Sequence, residues 1–322
     1  MNLKVNAAPH IRGNFNTTKI MRDVLIALIP ATLAGVWIFG TRALAVVAVS
    51  ILAAFAGEWF WLLISKKPGN LADGSAVVTG LLLALTLPVT VPYPVAAAGG
   101  FFATFVVKGL GGGAYQNMFN PALAARAVLL FLWPVHVTRF VERGVKVPFA
   151  KGLDAVTAAT PLHEMQMEVL PDVSLFDMFI GNIGGCIGEV SAAALLLGGI
   201  YLLARKVISP RIPVAYLGSV AVFSLVFSKG DNPVGWMLYS LLGGGAVLGG
   251  IFMVTDYATS PVTPWGQILY GIGAGTLTVF FRYKGLYPEG VSYAILLMNG
   301  ASWLLDKKTP PRRFGVRRGN VV

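Results

Sequence analysis

Apolar residues in this chain come in long unbroken blocks, not at the two-residue spacing of a half-buried strand or the amphipathic spacing of a soluble helix. A helix needs about 20 apolar residues to cross a bilayer. Ten blocks approach that length: 23–40, 43–64, 74–88, 94–108, 119–135, 178–204, 213–229, 235–254, 264–282 and 289–305. The third and fourth are short and interrupted by Pro88, Pro92 and Pro94, so they read as partial or tilted spans. The longest polar stretch, 136–177, divides the blocks five and five, as in transporters built from two repeats. Two internal echoes accompany that division. Asp73-Gly74-Ser75-Ala76 resembles Glu189-Val190-Ser191-Ala192, and Asn120-Pro121 resembles Ser260-Pro261. The pattern predicts an all-α integral membrane protein of about ten transmembrane helices.

Composition supports that reading: 56% of the 322 residues are hydrophobic and 12% are charged, against about 25% charged in a soluble domain. The net charge of +11 would suit a nucleic-acid partner, but its placement follows topology instead. With the N-terminus cytoplasmic, 16 Lys and Arg fall in inside segments and 8 in outside segments, with Arg126 within a span. That bias puts both termini in the cytoplasm. The expected layout is a cytoplasmic segment 1–22, a first helix bundle 23–135, an extracytoplasmic loop 136–177, a second bundle 178–305 and a basic cytoplasmic tail 306–322. The first 23 residues are polar and lead into a full span, so no cleavable signal peptide is expected. Trp59, Trp61, Trp236, Trp265 and Trp303 lie near span ends and read as interface anchors.

Few residues can carry chemistry. Cys186 is the single cysteine, too few for an iron–sulfur cluster held within this chain. The three histidines lack metal-ligand spacing. Glu58, Arg126 and Glu189 fall within predicted spans, and Asp73 and Asp256 near span ends. A charge at the bilayer centre costs about 2.5–3.5 kcal/mol on insertion scales, so such groups pair with one another or line a polar path. Both readings stay open for these five. Asn120-Pro121 and Ser260-Pro261 mark either broken helices or ordinary helix starts with Pro in the first turn. In the polar loop, Asp154-Ala155-Val156-Thr157-Ala158-Ala159-Thr160-Pro161-Leu162 offers a hydroxyl among small neighbours, with Pro161 stopping a helix from running through. An N-cap role for Thr157 or Thr160 is the plainer alternative.

That nonapeptide resembles the flavinylation motif, Asp-x-x-Ser/Thr-x-Ala-Thr, of a membrane-protein family. The family includes the D component of the Rnf ion-translocating oxidoreductase and the B component of the sodium-pumping NADH:quinone oxidoreductase. Further segments match in order: Ala8-Pro9-His10; Asp73-Gly74-Ser75-Ala76-Val77-Val78-Thr79-Gly80; Gly111-Gly112 and Asn117 with Phe119-Asn120-Pro121-Ala122; and Phe252-Met253-Val254-Thr255-Asp256 with Thr259-Ser260-Pro261. The motif departs mildly from the family at Ala158, where Gly is usual. The chain's shorter length favours the Rnf-type D component.

The resemblance implies FMN bound covalently through a phosphoester at Thr160, flanked by Asp154, Thr157, Ala158 and Ala159. Arg126 is the candidate flavin or anion contact for a separate reason: a guanidinium matches phosphate and carbonyl edges. It implies a multi-subunit, ion-translocating ferredoxin:NAD oxidoreductase in a prokaryotic cytoplasmic (inner) membrane. The partner subunits would carry iron–sulfur clusters and flavins, and a flavin transferase would be needed for maturation. A second flavin such as riboflavin would be compatible, as would ion-path roles for Glu58, Asp73, Glu189 and Asp256. No Gly-rich dinucleotide fingerprint is present, so NAD would bind a partner. The competing reading is a non-redox transporter or channel with the five-plus-five plan, in which Thr160 is an ordinary loop residue.

Overall fold

Inside hydrocarbon a backbone N–H or C=O finds no water, so an apolar run must satisfy its polar groups as helix. The computed structural model describes residues 16–66, 71–112, 117–142, 144–149, 160–229, 232–285 and 290–310. Among the described residues there is no strand; an isolated antiparallel bridge joins Pro88 and Cys186.

The first half holds α1 (Thr17–Phe39), α2 (Thr41–Ser65), α3 (Ser75–Leu85), α4 (Tyr93–Leu110), α5 (Pro121–Leu132) and the short α6 (Pro134–Val137). Two short helices follow in the polar loop and its exit, α7 (Pro161–Gln166) and α8 (Leu175–Ile180). The second half holds α9 (Ala192–Ala204), α10 (Arg211–Val226), α11 (Pro233–Leu242), α12 (Ala246–Met253), α13 (Pro264–Lys284) and α14 (Val291–Lys308). By length and composition α1, α2 and α4 can each cross a membrane; α11 and α12, bent by 63°, make a fourth if taken as one span.

Packing is parallel in the two halves. α2 lies against α3 and α4, while α10 lies against α11 and α13. The halves meet through α1 on α9 and α5 on α14. Large apolar side chains face outward around the bundle, among them Leu33, Trp37, Leu52, Leu197, Val214 and Phe280. Contiguous exposed apolar surface of this kind is a liability in water and the normal state in lipid.

Several expectations need correction. The block 178–204 is not one helix. α8 ends at Gly181, whose φ of +113 is open to glycine, and residues 181–191 run without helix before Ser191 caps α9 by accepting from the Ala194 amide. Glu189 therefore sits in a helix break, not within a span. Block 235–254 is bent at Gly243–Gly245, and block 119–135 is divided at Trp133. Asn120-Pro121 is an ordinary helix start, with the Asn120 side chain accepting from the Ala122 and Leu123 amides. Ser260-Pro261 lies in the non-helical link before α13. Trp236 is no interface anchor: it is fully buried and donates its indole N–H to the Tyr283 hydroxyl at 2.7 Å.

The segment after Thr160 is fastened to the second half. Gln166 donates to the Gly285 carbonyl at 2.8 Å, the Tyr239 hydroxyl donates to the Val173 carbonyl at 2.6 Å, and Lys229 reaches the Glu168 carboxylate at 2.6 Å. The Lys229 hydrogen bond and charge hold the Glu168 carboxyl below the usual glutamate range. A depressed folded-state pKa contributes stability above the unfolded carboxylate pKa and loses it as pH falls through the folded value. Hydrogen-exchange protection across 160–175, after correction for the intrinsic pH dependence of amide exchange, should therefore fall as pH drops below the ordinary glutamate range, and Glu168→Gln should remove that pH dependence. An identical acid response in Glu168→Gln would assign the effect elsewhere.

Candidate functional site

Four of the charged residues singled out in the sequence fall into two buried clusters, joined by partners that sequence reasoning misses. The first cluster surrounds Lys108 at the end of α4, where residues Ala103–Leu110 are wound as π-helix. π-Turns recur at functional positions because they re-aim side chains within a helix. Lys108 is buried and donates to Glu58 of α2 at 2.6 Å and to the Ser75 hydroxyl at 2.6 Å. Ser75 gives both its amide, at 2.8 Å, and its hydroxyl, at 2.5 Å, to Asp73. Glu58, Lys108, Ser75 and Asp73 thus form a single chain. The second Glu58 oxygen is buried and has no hydrogen bond. Ser75 and Lys108 also line a cleft with Asn117, Asn120 and the half-buried Asp256. The sequence does carry a signal for Lys108: an intramembrane cation near a span end, 50 residues from Glu58.

The second cluster centres on Arg126 of α5, which is 4% exposed. Its guanidinium lies 3.9 Å from Glu189 and 3.6 and 3.7 Å from the Cys186 sulfur. Cys186 is fully buried and belongs to the bridge with Pro88, so Arg126 sits where the broken segments of the two halves meet. Glu189 continues into a crevice lined by Thr160, Gly184, Gly185, Gly243 and Gly244.

Thr160 departs from the exposed loop position expected of it. It is 9% exposed and precedes α7 as the N-cap residue. The physical cause lies in the next turn. Leu162 and Met165 of α7 pack on Trp236 as a small apolar cluster, drawing the start of the helix inward. Yet the Thr160 side chain makes no capping hydrogen bond, unlike Ser174, Ser191 and Thr263 at their helices. Asp154, Thr157, Ala158 and Ala159 lie outside the described residues.

The crevice wall is held by Arg282 of α13, which is buried and donates to the carbonyls of Ser240, Gly243 at 2.9 Å and Gly244 at 3.2 Å. A helix that stops inside a membrane protein leaves such carbonyls unsatisfied, and a guanidinium supplies several donors at once. Arg42 does the same for the break after α3, donating to the carbonyls of Val89 at 2.9 Å and Val91 at 3.3 Å. Neither arginine is legible as a break cap in the sequence, since both fall at span ends where a cation is also explained by topology.

Gly244 matters for a steric reason. Its φ is +56, and a Cβ there would lie 1.8 Å from the Leu162 side chain. Gly244→Ala should displace Leu162, and with it α7 and Thr160, costing about 1–2 kcal/mol from the left-handed backbone alone. A thermal unfolding midpoint equal to that of the parent would show that neither the backbone nor Leu162 resists the added methyl.

A helical bundle with no strand among its described residues, apolar outward and with charges paired inward at helix breaks, defines an integral membrane protein organised around interior polar contacts. The chain belongs to the NQR2, RnfD, RnfE family, whose model matches residues 4–315. It is 45% identical over 321 residues to the D component of the Na(+)-translocating ferredoxin:NAD(+) oxidoreductase complex of Acetobacterium woodii, covering 99% of this chain and 97% of that one. It is 41% identical to the D component of the proton-translocating ferredoxin:NAD(+) oxidoreductase complex of Clostridium ljungdahlii, covering 98% and 96%. It is 36% identical to the D component of the ion-translocating oxidoreductase complex of Stutzerimonas stutzeri, covering 92% of each.

Proposed function

We propose that this chain is the D-type membrane component of a redox-driven, ion-translocating ferredoxin:NAD oxidoreductase, carrying FMN as a phosphoester on Thr160. It is one part of a multi-subunit enzyme and has no catalytic activity alone. Ten spans cross a prokaryotic cytoplasmic membrane, with both termini inside and the 136–177 loop outside. The observation that carries the reading is Thr160 itself: an N-cap threonine with no capping hydrogen bond, at a crevice shared with Glu189, whose carboxylate lies 3.9 Å from Arg126. The Thr160 oxygen is not committed to α7, which leaves it available for a phosphoester. The crevice beside it holds only about 20 Å³, so the flavin ring would lie outside it.

FMN when bound supplies transfer of electrons singly or in pairs, which suits exchange with iron–sulfur centres and other flavins in partner subunits. The chain's own residues hold and orient. Arg282 fixes the crevice wall by its three carbonyl contacts. Arg126 places a positive charge behind the crevice, and Glu189 balances it. Arg126 keeps its candidate role as a flavin or anion contact, and a second, non-covalent flavin belongs to the proposal without an assigned site. The Glu58–Lys108–Ser75–Asp73 chain and Asp256 are the candidates for the path of Na⁺ or H⁺. The test is flavin fluorescence of the denatured, gel-separated chain, made with a flavin transferase. A fluorescent band in the parent and a dark one in Thr160→Val would support covalent flavin at that residue.

A further inference from the structure

We propose that the outward groove between α13 and α14 is a binding site for one anionic membrane phospholipid, with Lys284 at its phosphate. The groove encloses about 610 Å³ and is lined by Phe119, Phe280, Phe281, Tyr293, Leu296 and Leu297, with Lys284 and Gly285 at one end. Its walls are apolar, and Phe280 and Leu297 are each 57% exposed. Phe281 stands edge-on to Phe280 and to Tyr293, which stiffens the wall on the α13 side.

The ends of the helices give the depth. Trp265 at the start of α13 and Trp303 near the end of α14 are each 69% exposed, and Lys307 lies over the Trp303 ring at 5.3 Å. Tryptophan and lysine at that level mark one membrane interface. α13 has 21 residues, so at 1.5 Å per residue its far end lies about 30 Å away. That is about the hydrocarbon thickness. Lys284, exposed on the last turn of α13, therefore reaches the headgroup level of the opposite interface.

The occupant follows from charge and shape. Two other basic side chains near this end are engaged: Arg282 is turned inward to the carbonyls of Ser240, Gly243 and Gly244 at the end of α11, and Lys229 is paired with Glu168. Lys284 is the exposed cation placed over an apolar channel. The channel runs down α14 towards Gly300, where a Cβ would lie 3.8 Å from Phe119. An ammonium at headgroup level above an aromatic and leucine groove matches a phosphate with its acyl chain below. Lys284 also acts on the Glu168 carboxylate through its charge, but that carboxylate is already bonded to Lys229, so the two lysines keep an excess positive charge that a neutral partner helix would leave unmet.

The test is photocrosslinking of the intact complex with a diazirine-bearing phosphatidylglycerol in bilayer nanodiscs, followed by peptide mapping. Label is expected on residues 280–297, displaced by excess phosphatidylglycerol more readily than by phosphatidylcholine. Lys284→Gln should weaken competition about fivefold, which is the ~1 kcal/mol of one surface cation converted at 1.4 kcal/mol per decade. Leu297→Trp, which fills the groove, should abolish the label while the complex still assembles. Label insensitive to headgroup and to both variants would reduce the groove to ordinary lipid contact and overturn the proposal. So would absence of label because another protein of the complex covers α13 and α14.

Discussion

Replacing Thr160 with Val should leave the denatured band dark, and replacing it with Ser should keep it fluorescent. Valine matches threonine in shape and removes only the hydroxyl. Because that hydroxyl makes no cap to α7, the substitution should change stability by no more than about 1 kcal/mol, the net worth of an ordinary hydrogen bond. Loss of flavin would then report loss of the attachment oxygen and not unfolding, which the thermal midpoint of the same sample checks. Electron transfer from reduced ferredoxin to NAD through the assembled complex should fall to background in Thr160→Val and recover in Thr160→Ser. A dark parental band, made with a transferase proven on a control substrate, would sink the covalent-flavin reading and favour the non-redox transporter.

The second large effect is expected at Lys108. Lys108→Met removes the cation beside Glu58 in a setting where the two side chains are 4% and 12% exposed. Breaking a buried pair from one side costs about 3–5 kcal/mol because a charge stays behind without compensation. Glu58 is poorly placed to adapt, since its second oxygen already lacks a hydrogen bond. Combining Lys108→Met with Glu58→Gln should return part of the loss, so that the double variant is more stable than the sum of the single ones. Thermal unfolding of the detergent-solubilised chain measures this cycle. Strict additivity would mean that the pair is not coupled. The cycle also separates two roles when the dependence of complex turnover on Na⁺ and pH is followed in Glu58→Gln. A purely structural pair changes stability alone. A pair in the ion path moves the cation concentration or pH giving half-maximal rate.

Much of this protein is legible in the chain itself. An apolar block of span length must become helix in lipid, because no other local structure pairs its backbone groups. The helix ends can be read to within a few residues for α2, α4, α10, α13 and α14, while α1 begins at Thr17, ahead of its apolar block. The nonapeptide around Thr160 is legible as a motif from residue order, and its resemblance to a family pattern is what proposes Thr160 as the acceptor. Family membership follows from the same segments.

Tertiary structure decided the rest. Apolarity does not say where a helix stops, so the break at 181–191 is hidden inside block 178–204. Only packing against the other half turns Glu189 out of a helix and towards Arg126. The sequence marks Glu58, Arg126 and Glu189 as costly charges, but partners such as Lys108 and Cys186 stand 50 and 60 residues away, and pairing across that distance is set by how helices pack. Arg42 and Arg282 count as topology signals on a chain and become carbonyl donors only once broken helices lie beside them. Thr160 is an exposed loop hydroxyl by sequence and a crevice residue by structure, because Leu162 and Met165 find Trp236, a contact that no local pattern encodes.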